Sequence, residues 1–312
     1  MRWALFDTLT MFLKQDHYKT SQALYGLSDV QEHSRIDTGE IWHTGKQENI
    51  RVKVQDSGLS ANGSIAKYFL GNNAETLTRE TTRQAIEKLS DDLHLPMKEA
   101  LIYRLDVGQN FIVQEPIITY LTQLGEAKYF ERGTIKKNKG LLYTNGHNAI
   151  SFYDKISDLK RHKEPIPCMY QGRNVLRYER RWRGRIAKQF KQPSITGSLL
   201  YDETFYYMCL EKWKQDFISI HKRQLPTNEV NMNGTKEFML SLALLSVQHI
   251  GEDYLIETIK AQQKCGAINK KTARDLRIKL KEITRVRKND SKNSNIMQEL
   301  ETKVSQTVHY YT

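Results

Sequence analysis

The hydrophobic pattern of this 312-residue chain changes its period near residue 195. Before that point, short apolar runs alternate with polar residues at a spacing of two and are separated by Gly- and Asn-containing turns, which is typical of half-buried strands. After it, apolar residues recur every three or four positions over long segments, as in amphipathic helices. We therefore expect an α/β or α+β sheet domain over residues 1–195, a helical C-terminal domain over 196–290 and a flexible tail over 291–312.

Two of the predicted strands carry charged residues among apolar ones. In the segment Leu101–Val107, Arg104 and Asp106 alternate with apolar residues and share one side. The segment Val175–Trp182 is a further predicted strand. One face carries Val175, Arg177, Glu179 and Arg181, and the other carries Leu176, Tyr178, Arg180 and Trp182.

Composition excludes several classes of protein. With 39% hydrophobic and 27% charged residues and a mean hydropathy of −0.64, the chain is neither disordered nor membrane-spanning. The apolar N-terminus is interrupted by Asp7 and Thr8 and lacks a cleavage site, so it predicts a first strand rather than a signal peptide. Cys168, Cys209 and Cys265 are odd in number and scattered, as expected for reduced thiols in a cytoplasm.

The net charge of +12 is concentrated in one third of the chain. Residues 101–200 hold 18 Lys/Arg and 8 Asp/Glu, and the densest run is Arg177–Arg185. Such a run is also compatible with a solvated charged face, but interleaved aromatic residues favour nucleic acid, because cations hold phosphates while aromatic rings stack on bases. The candidate DNA-binding residues are Arg173, Arg177, Arg180, Arg181, Arg183, Arg185 and Lys188.

Phosphate loops and common hydrolase motifs are absent from the sequence, and the chemistry points instead to a trio on three predicted strands: Tyr153, Asp106 and Glu179. Two carboxylates on neighbouring strands can hold Mg²⁺ or Mn²⁺, and a tyrosine hydroxyl can attack phosphorus. Lys155, expected on the same strand face as Tyr153, could offset phosphate charge. Alternatives remain open: Asp106 could pair with Arg104, Glu179 with Arg177 or Arg181, and Tyr153 could be a core aromatic.

Four segments in order carry a family resemblance: Gly63–Gly71, Tyr103–Gly108, Ser151–Lys155 and Val175–Arg180. Together they resemble the gene II/X replication proteins of phages and plasmids, which include the initiators of filamentous phages. The resemblance spans roughly residues 1–195. It implies a central, largely antiparallel sheet with flanking helices, like the core of a rolling-circle nickase. It also implies metal-dependent nicking of one origin strand through a 5′-phosphotyrosyl intermediate, followed by strand transfer.

Carried over by residue, the resemblance places the nucleophile on Tyr153, with Lys155 beside it, and the acidic metal positions on Asp106 and Glu179. A further acidic position of the family falls on Asp158, which is shorter than the family's Glu. The sequence has no His-x-His pair, so carboxylates are the expected ligands of Mg²⁺ or Mn²⁺, with His147 as a candidate assistant.

The expected partner is origin DNA, supercoiled or single-stranded, in the cytoplasm of a bacterial host, with a host helicase or polymerase as a further candidate and no membrane. A non-catalytic origin-binding regulator is the alternative function, and binding of structured RNA is a third. The helical third could contain a helix-turn-helix around Lys264–Ala267 or only a packing hairpin.

Overall fold

The computed structural model describes residues 5–72, 74–135, 140–223, 234–285 and 294–309. The chain forms two compact units. The sheet unit consists of the described parts of Met1–Leu121, Glu126–His221 and Leu300–Thr312, and the helical unit of those of Thr122–Gly125 and Lys222–Glu299. Some predicted segments lie partly outside the described residues. These are residues 1–4 of the first strand, 286–288 of a helix, and 289–293 and 310–312 near the chain end.

The sheet unit is built on ten antiparallel strands, which confirms the predicted mixed fold with a largely antiparallel sheet. Their order across the sheet is β2-β3-β4-β5-β1-β6-β11-β10-β9-β8, while β7 and β12 form a separate two-stranded sheet. The strands are β1 Phe6–Leu13, β2 Ser28–Ser34, β3 Ile41–Gln47, β4 Ile50–Gln55, β5 Gly58–Ser64, β6 Leu101–Val113, β7 Leu124–Ala127, β8 Glu131–Ile135, β9 Gly140–Thr144, β10 Ala149–Asp154, β11 Asn174–Arg183 and β12 Ile220–Lys222.

Eleven α-helices fall in the described residues, four of them beyond residue 234. They are α1 His17–Gln22, α2 Ile65–Leu70, α3 Arg79–Leu93, α4 Ile117–Gln123, α5 Lys155–Arg161, α6 Ile186–Gln189, α7 Glu203–Ile218, α8 Thr235–Ile250, α9 Glu252–Lys264, α10 Lys270–Arg285 and α11 Ser294–His309. None of the helices in this part of the chain is long and apolar enough to cross a membrane. All three cysteines are free thiols.

The central strands have one apolar and one polar face. Phe152 of β10, Tyr178 of β11 and Trp213 of α7 stack on the apolar face, with ring centroids 4.7 and 4.6 Å apart. Burial of such large rings supplies much of the apolar stabilisation of a domain, and stacked pairs add about 0.5–1.5 kcal/mol each. Side chains alternate along a strand. The two neighbours of Tyr178 in β11, Arg177 and Glu179, therefore lie on the opposite, polar face of the sheet.

Three elements differ from the sequence-based expectation. Residues 28–47 form the strands β2 and β3, for which no strand was predicted. The segment 235–264 is two helices, because Gly251 adopts φ 93° between them. The expected flexible tail over 291–312 contains α11, whose Met297, Leu300 and Val304 are buried, since their three- and four-residue spacing forms an apolar stripe that packs.

Candidate active site

The site is built around a hydrogen bond between neighbouring strands. Tyr153 of β10 lies opposite Arg177 of β11, and its hydroxyl donates to Glu179 Oε1 at 2.7 Å. Burial and the negative charge of Glu179 raise the pKa of the half-buried Tyr153 hydroxyl well above its usual value, although Arg177 opposes this. Tyr153 is therefore a protonated phenol at neutral pH, held against a carboxylate that can accept its proton.

Arg177 links this pair to the first strand of the sheet. Its guanidinium is fully buried and donates to Glu179, to Asp7 of β1 and, at 3.1 Å, to Asn110 Oδ1 of β6. Burial alone would raise the pKa of Glu179, but Arg177 and the hydrogen bonds from Arg177 and Tyr153 outweigh it and lower that pKa. Glu179 thus stays ionised in the sheet.

A glycine makes room for this arrangement. Gly108 of β6 lies directly opposite Glu179 in the strand register. A Cβ atom there would come within 2.8 Å of Glu179 Cγ and 3.1 Å of Arg177 Nη2. No side chain larger than hydrogen fits at this position without displacing the pair.

Asp106 forms a second cluster on the same face of the sheet. Arg104 Nε donates to it at 2.8 Å and Arg181 Nε at 3.0 Å, so the ion-pair alternative weighed for Asp106 is realised. Burial is the largest influence on the Asp106 carboxyl and raises its pKa despite both arginines. Asp106 therefore takes up a proton more readily than an ordinary aspartate.

Lys155 does not lie on the strand where it was expected. The carboxylate of Asp154 caps α5 by accepting from the Ser157 backbone N–H at 3.1 Å, so the strand ends and Lys155 is the first helical residue. Its ammonium is buried 3.5 Å from Asp158 Oδ2, and burial followed by Arg177 lowers its pKa. Asp158 also binds Arg161 and His162.

The residues expected to hold a metal supply suitable atoms but not a suitable arrangement. Mg²⁺ and Mn²⁺ prefer oxygen ligands, which Asp106 and Glu179 offer from adjacent strands. Their oxygens, however, accept hydrogen bonds from Arg104, Arg181 and Arg177. Across the described residues, no group of three or more His, Cys, Asp or Glu side chains is placed to hold a metal. The arrangement as it stands does not fit a metal site.

The basic segment divides into buried and exposed cations. Arg177 and Arg180, both expected to contact DNA, are buried instead: Arg177 serves the network above, and Arg180 pairs with Asp216 of α7 on the apolar face. The alternating strand geometry puts one of them on each face of the sheet, and each guanidinium is paired with acidic side chains of this chain. Arg181 is half-buried beside Asp106, and four cations are exposed: Arg173, Arg183, Arg185 and Lys188.

An open groove of about 760 Å³ lies at the Arg183 end of β11. Arg181 and Arg183 line it together with Tyr129, which is 79% exposed, and with His147. His147 lies in the turn before β10, at the opposite end of that strand from Tyr153. Cations beside an exposed aromatic ring suit single-stranded nucleic acid, whose phosphates and bases they can contact together.

Asp7 is the site residue that sequence reasoning missed. It accepts from Arg177 and, at 2.7 Å, from Ser64 Oγ of β5, in a stretch where the register between β1 and β6 is irregular. The available signal was an acidic residue inside an apolar first strand. That signal excludes a signal peptide but does not identify the partner Arg177, which lies 170 positions along the chain.

A comparison with known families identifies the family of the chain. Residues 5–208 match the family described as the N-terminal part of the replication-associated protein of phages, the gene II protein. The match covers well over half of the chain and includes every site residue named above, so the chain belongs to this family of phage replication proteins. Membership supports a role in initiating phage replication and, with it, binding of origin DNA. No curated protein sequence is significantly similar to the chain.

Proposed function

We propose that this protein initiates rolling-circle replication by nicking one origin strand with Tyr153 and later rejoining the displaced strand. The observation that carries the proposal is the 2.7 Å hydrogen bond from the Tyr153 hydroxyl to Glu179, in a sheet whose polar face meets a basic groove. A phenol bound to an ionised carboxylate is a nucleophile paired with its base.

In the proposed step, Tyr153 Oη attacks the scissile phosphorus while its proton passes to Glu179 Oε1. The bond from phosphorus to the 3′ oxygen breaks, which leaves the 5′ phosphate on the tyrosine and a 3′ oxygen that takes up a proton. Lys155, buried and with a lowered pKa, is the proposed donor of that proton. Rejoining reverses the step with a new 3′ hydroxyl as attacking group.

The test is to incubate purified protein with a supercoiled circle carrying its origin and to measure nicked circles and covalent protein–DNA adducts. We expect Tyr153→Phe to lower nicking by about 10³-fold or more and to abolish the adduct. Tyr103→Phe, at an exposed tyrosine, is the matched control and should nick like wild type. An adduct formed by Tyr153→Phe would refute the assignment.

A requirement for Mg²⁺ or Mn²⁺ is a separate proposal, which rests on the family resemblance and on the oxygen donors Asp106 and Glu179. No step above depends on it. We expect EDTA to stop nicking and either cation to restore it. Nicking that persists in EDTA would refute the metal requirement and leave the role of Tyr153 standing.

A non-catalytic origin-binding regulator is the second candidate. Its support is that arginines hold Asp7, Asp106 and Glu179. Under this hypothesis wild type and Tyr153→Phe bind origin DNA equally and neither cleaves it with any cation. Cleavage by wild type alone excludes it.

A further inference from the structure

The main segment of the helical unit, Lys222–Glu299, lies beyond the family match, which ends at residue 208. Its helices α8, α9 and α10 each pack against the other two, with Val247, Ala273 and Leu280 buried between them. Five residues, Cys265–Asn269, connect α9 to α10, and Gly266 among them adopts φ 79°. A small three-helix cluster with a tight turn before its last helix is the arrangement that DNA-binding helix-turn-helix domains use.

Charge is distributed unevenly among these three helices. The sequence of α10 holds seven Lys/Arg and two Asp/Glu, whereas α9 holds two Lys and three acidic residues and α8 one of each sign. The first turn of α10 has no acidic residue. Positive side chains near a helix N-terminus oppose the helix dipole, so packing and helix stability do not explain this placement.

Three cations of α10 are available to a partner. Lys270, Lys271 and Arg274 are exposed, and none has an ion-pair partner among the residues that the structure describes. At 100° per residue, Lys270 and Arg274 lie on one side of the helix with the exposed Lys281, and Lys271 flanks them. Ala273 and Leu280, seven residues apart, form the buried side instead.

We propose that this surface, Lys270, Lys271 and Arg274 of α10, binds duplex DNA through its phosphates. A duplex is favoured over a single strand because α10 has no aromatic residue on which bases could stack. It is favoured over a membrane because Ala273 and Leu280 are buried in the unit, and the two exposed apolar residues of α10, Leu276 and Ile278, lie on different sides of the helix and form no single face that could insert into lipid. The surface supplies a duplex contact that is separate from nicking at Tyr153.

The test compares two triple variants of the full chain. One combines Lys270→Ala, Lys271→Ala and Arg274→Ala. The control combines Lys260→Ala, Lys264→Ala and Lys279→Ala, which removes the same charge from exposed positions of the same unit. Because Ala is the best helix former, both should fold, and circular dichroism checks this. The probe is a 30-base-pair duplex of random sequence, titrated by fluorescence anisotropy at several salt concentrations.

We expect the α10 variant to lower the magnitude of the slope of log K against log salt by about 2 to 3, because each lost phosphate contact contributes about 0.9. The control should lower it by less than about 1. Cleavage of a single-stranded oligonucleotide should be unchanged in both variants, and the binding result stands even if wild type does not cleave. Equal slopes would overturn the proposal, leaving a packing hairpin. So would a loss seen only with a 30-nucleotide single strand or with phosphatidylserine vesicles.

Discussion

The two carboxylate clusters on the polar face are built from the same groups but differ in their contact with solvent. Arg177, which joins Asp7 to Glu179, has no exposed surface, whereas the Arg104 and Arg181 side chains around Asp106 are 23% and 36% exposed. The pKa of Glu179 is lowered and that of Asp106 is raised. In the first cluster the cation is the fully buried group, whereas in the second the carboxylate is the buried group, with only 6% of its side chain exposed, and its arginines reach solvent.

The difference assigns the clusters different parts in the proposed chemistry. A base must already be ionised and in position, which suits Glu179 beside Tyr153. The groups around Asp106 that could contact a phosphate are its arginines, because Arg104 and Arg181 are cationic and reach solvent.

The largest expected effect separates the clusters by stability. Arg177→Met leaves Asp7 and Glu179 without their shared buried partner and should lower the free energy of unfolding by about 3–5 kcal/mol. Arg104→Met leaves Asp106 paired with Arg181 and should cost about 1–2 kcal/mol. Urea unfolding followed by the fluorescence of the buried Trp182 and Trp213 measures both. Similar losses would mean that the two clusters are equally rigid.

A methyl group placed between the strands should disturb one cluster and spare the other. Gly108→Ala brings Cβ within 2.8 Å of Glu179 Cγ, so we expect a loss of about 1–3 kcal/mol together with reduced nicking. Gly133→Ala, whose Cβ would meet its nearest neighbour only at 3.7 Å, is the control in an outer strand. The comparison between the clusters fails if Gly108→Ala nicks and unfolds like wild type.

The pH dependence of stability should have opposite signs at the two carboxylates. Glu179, with a lowered pKa, stabilises the fold above pH 4.5, and this contribution is lost as the pH falls further. Asp106, with a raised pKa, loses stabilising effect as the pH rises above 3.8. In urea unfolding between pH 3 and 6, Glu179→Gln should flatten the rise of stability with pH, and Asp106→Asn should steepen it. Shifts of the same sign would contradict the assignment.

The local sequence pattern was sufficient to predict the buried face of α3 and the two faces of β11. The stripe Thr82, Ala85, Ile86, Leu89 and Leu93 is buried in α3 as predicted, and Tyr178 and Glu179 fall on the predicted opposite faces of β11. Both follow from the periods of helix and strand, which depend only on near neighbours. The order of the motifs along the chain does not determine which strands pair, so it did not predict that β10 and β11 bring Tyr153 to Glu179.

What the sequence could not supply depends on contacts across the sheet. Asp7 and Arg177 are far apart in the chain, and nothing local marks them as partners. Lys155 follows strand spacing in the sequence, yet the Asp154 cap starts a helix there, because a short side chain can satisfy the free N–H groups of a first turn. The charge of Arg177 and Arg180 indicated a phosphate contact, while their burial depends on acidic partners contributed by β1 and α7.

The smallest expected effect tests whether the cluster around Asp106 contributes to DNA binding. Arg181→Met leaves Asp106 with Arg104, so the free energy of unfolding should fall by less than about 1 kcal/mol. Arg181 also lines the groove beside Tyr129, so binding of a single-stranded oligonucleotide should weaken and its salt slope should fall by about 0.7. Arg83→Met, at an exposed ion pair of α3, is the matched control and should leave the slope unchanged. A variant that loses stability but keeps the wild-type slope would place Arg181 with Arg177 as a structural residue, and the groove would then have to hold DNA through Arg183 alone.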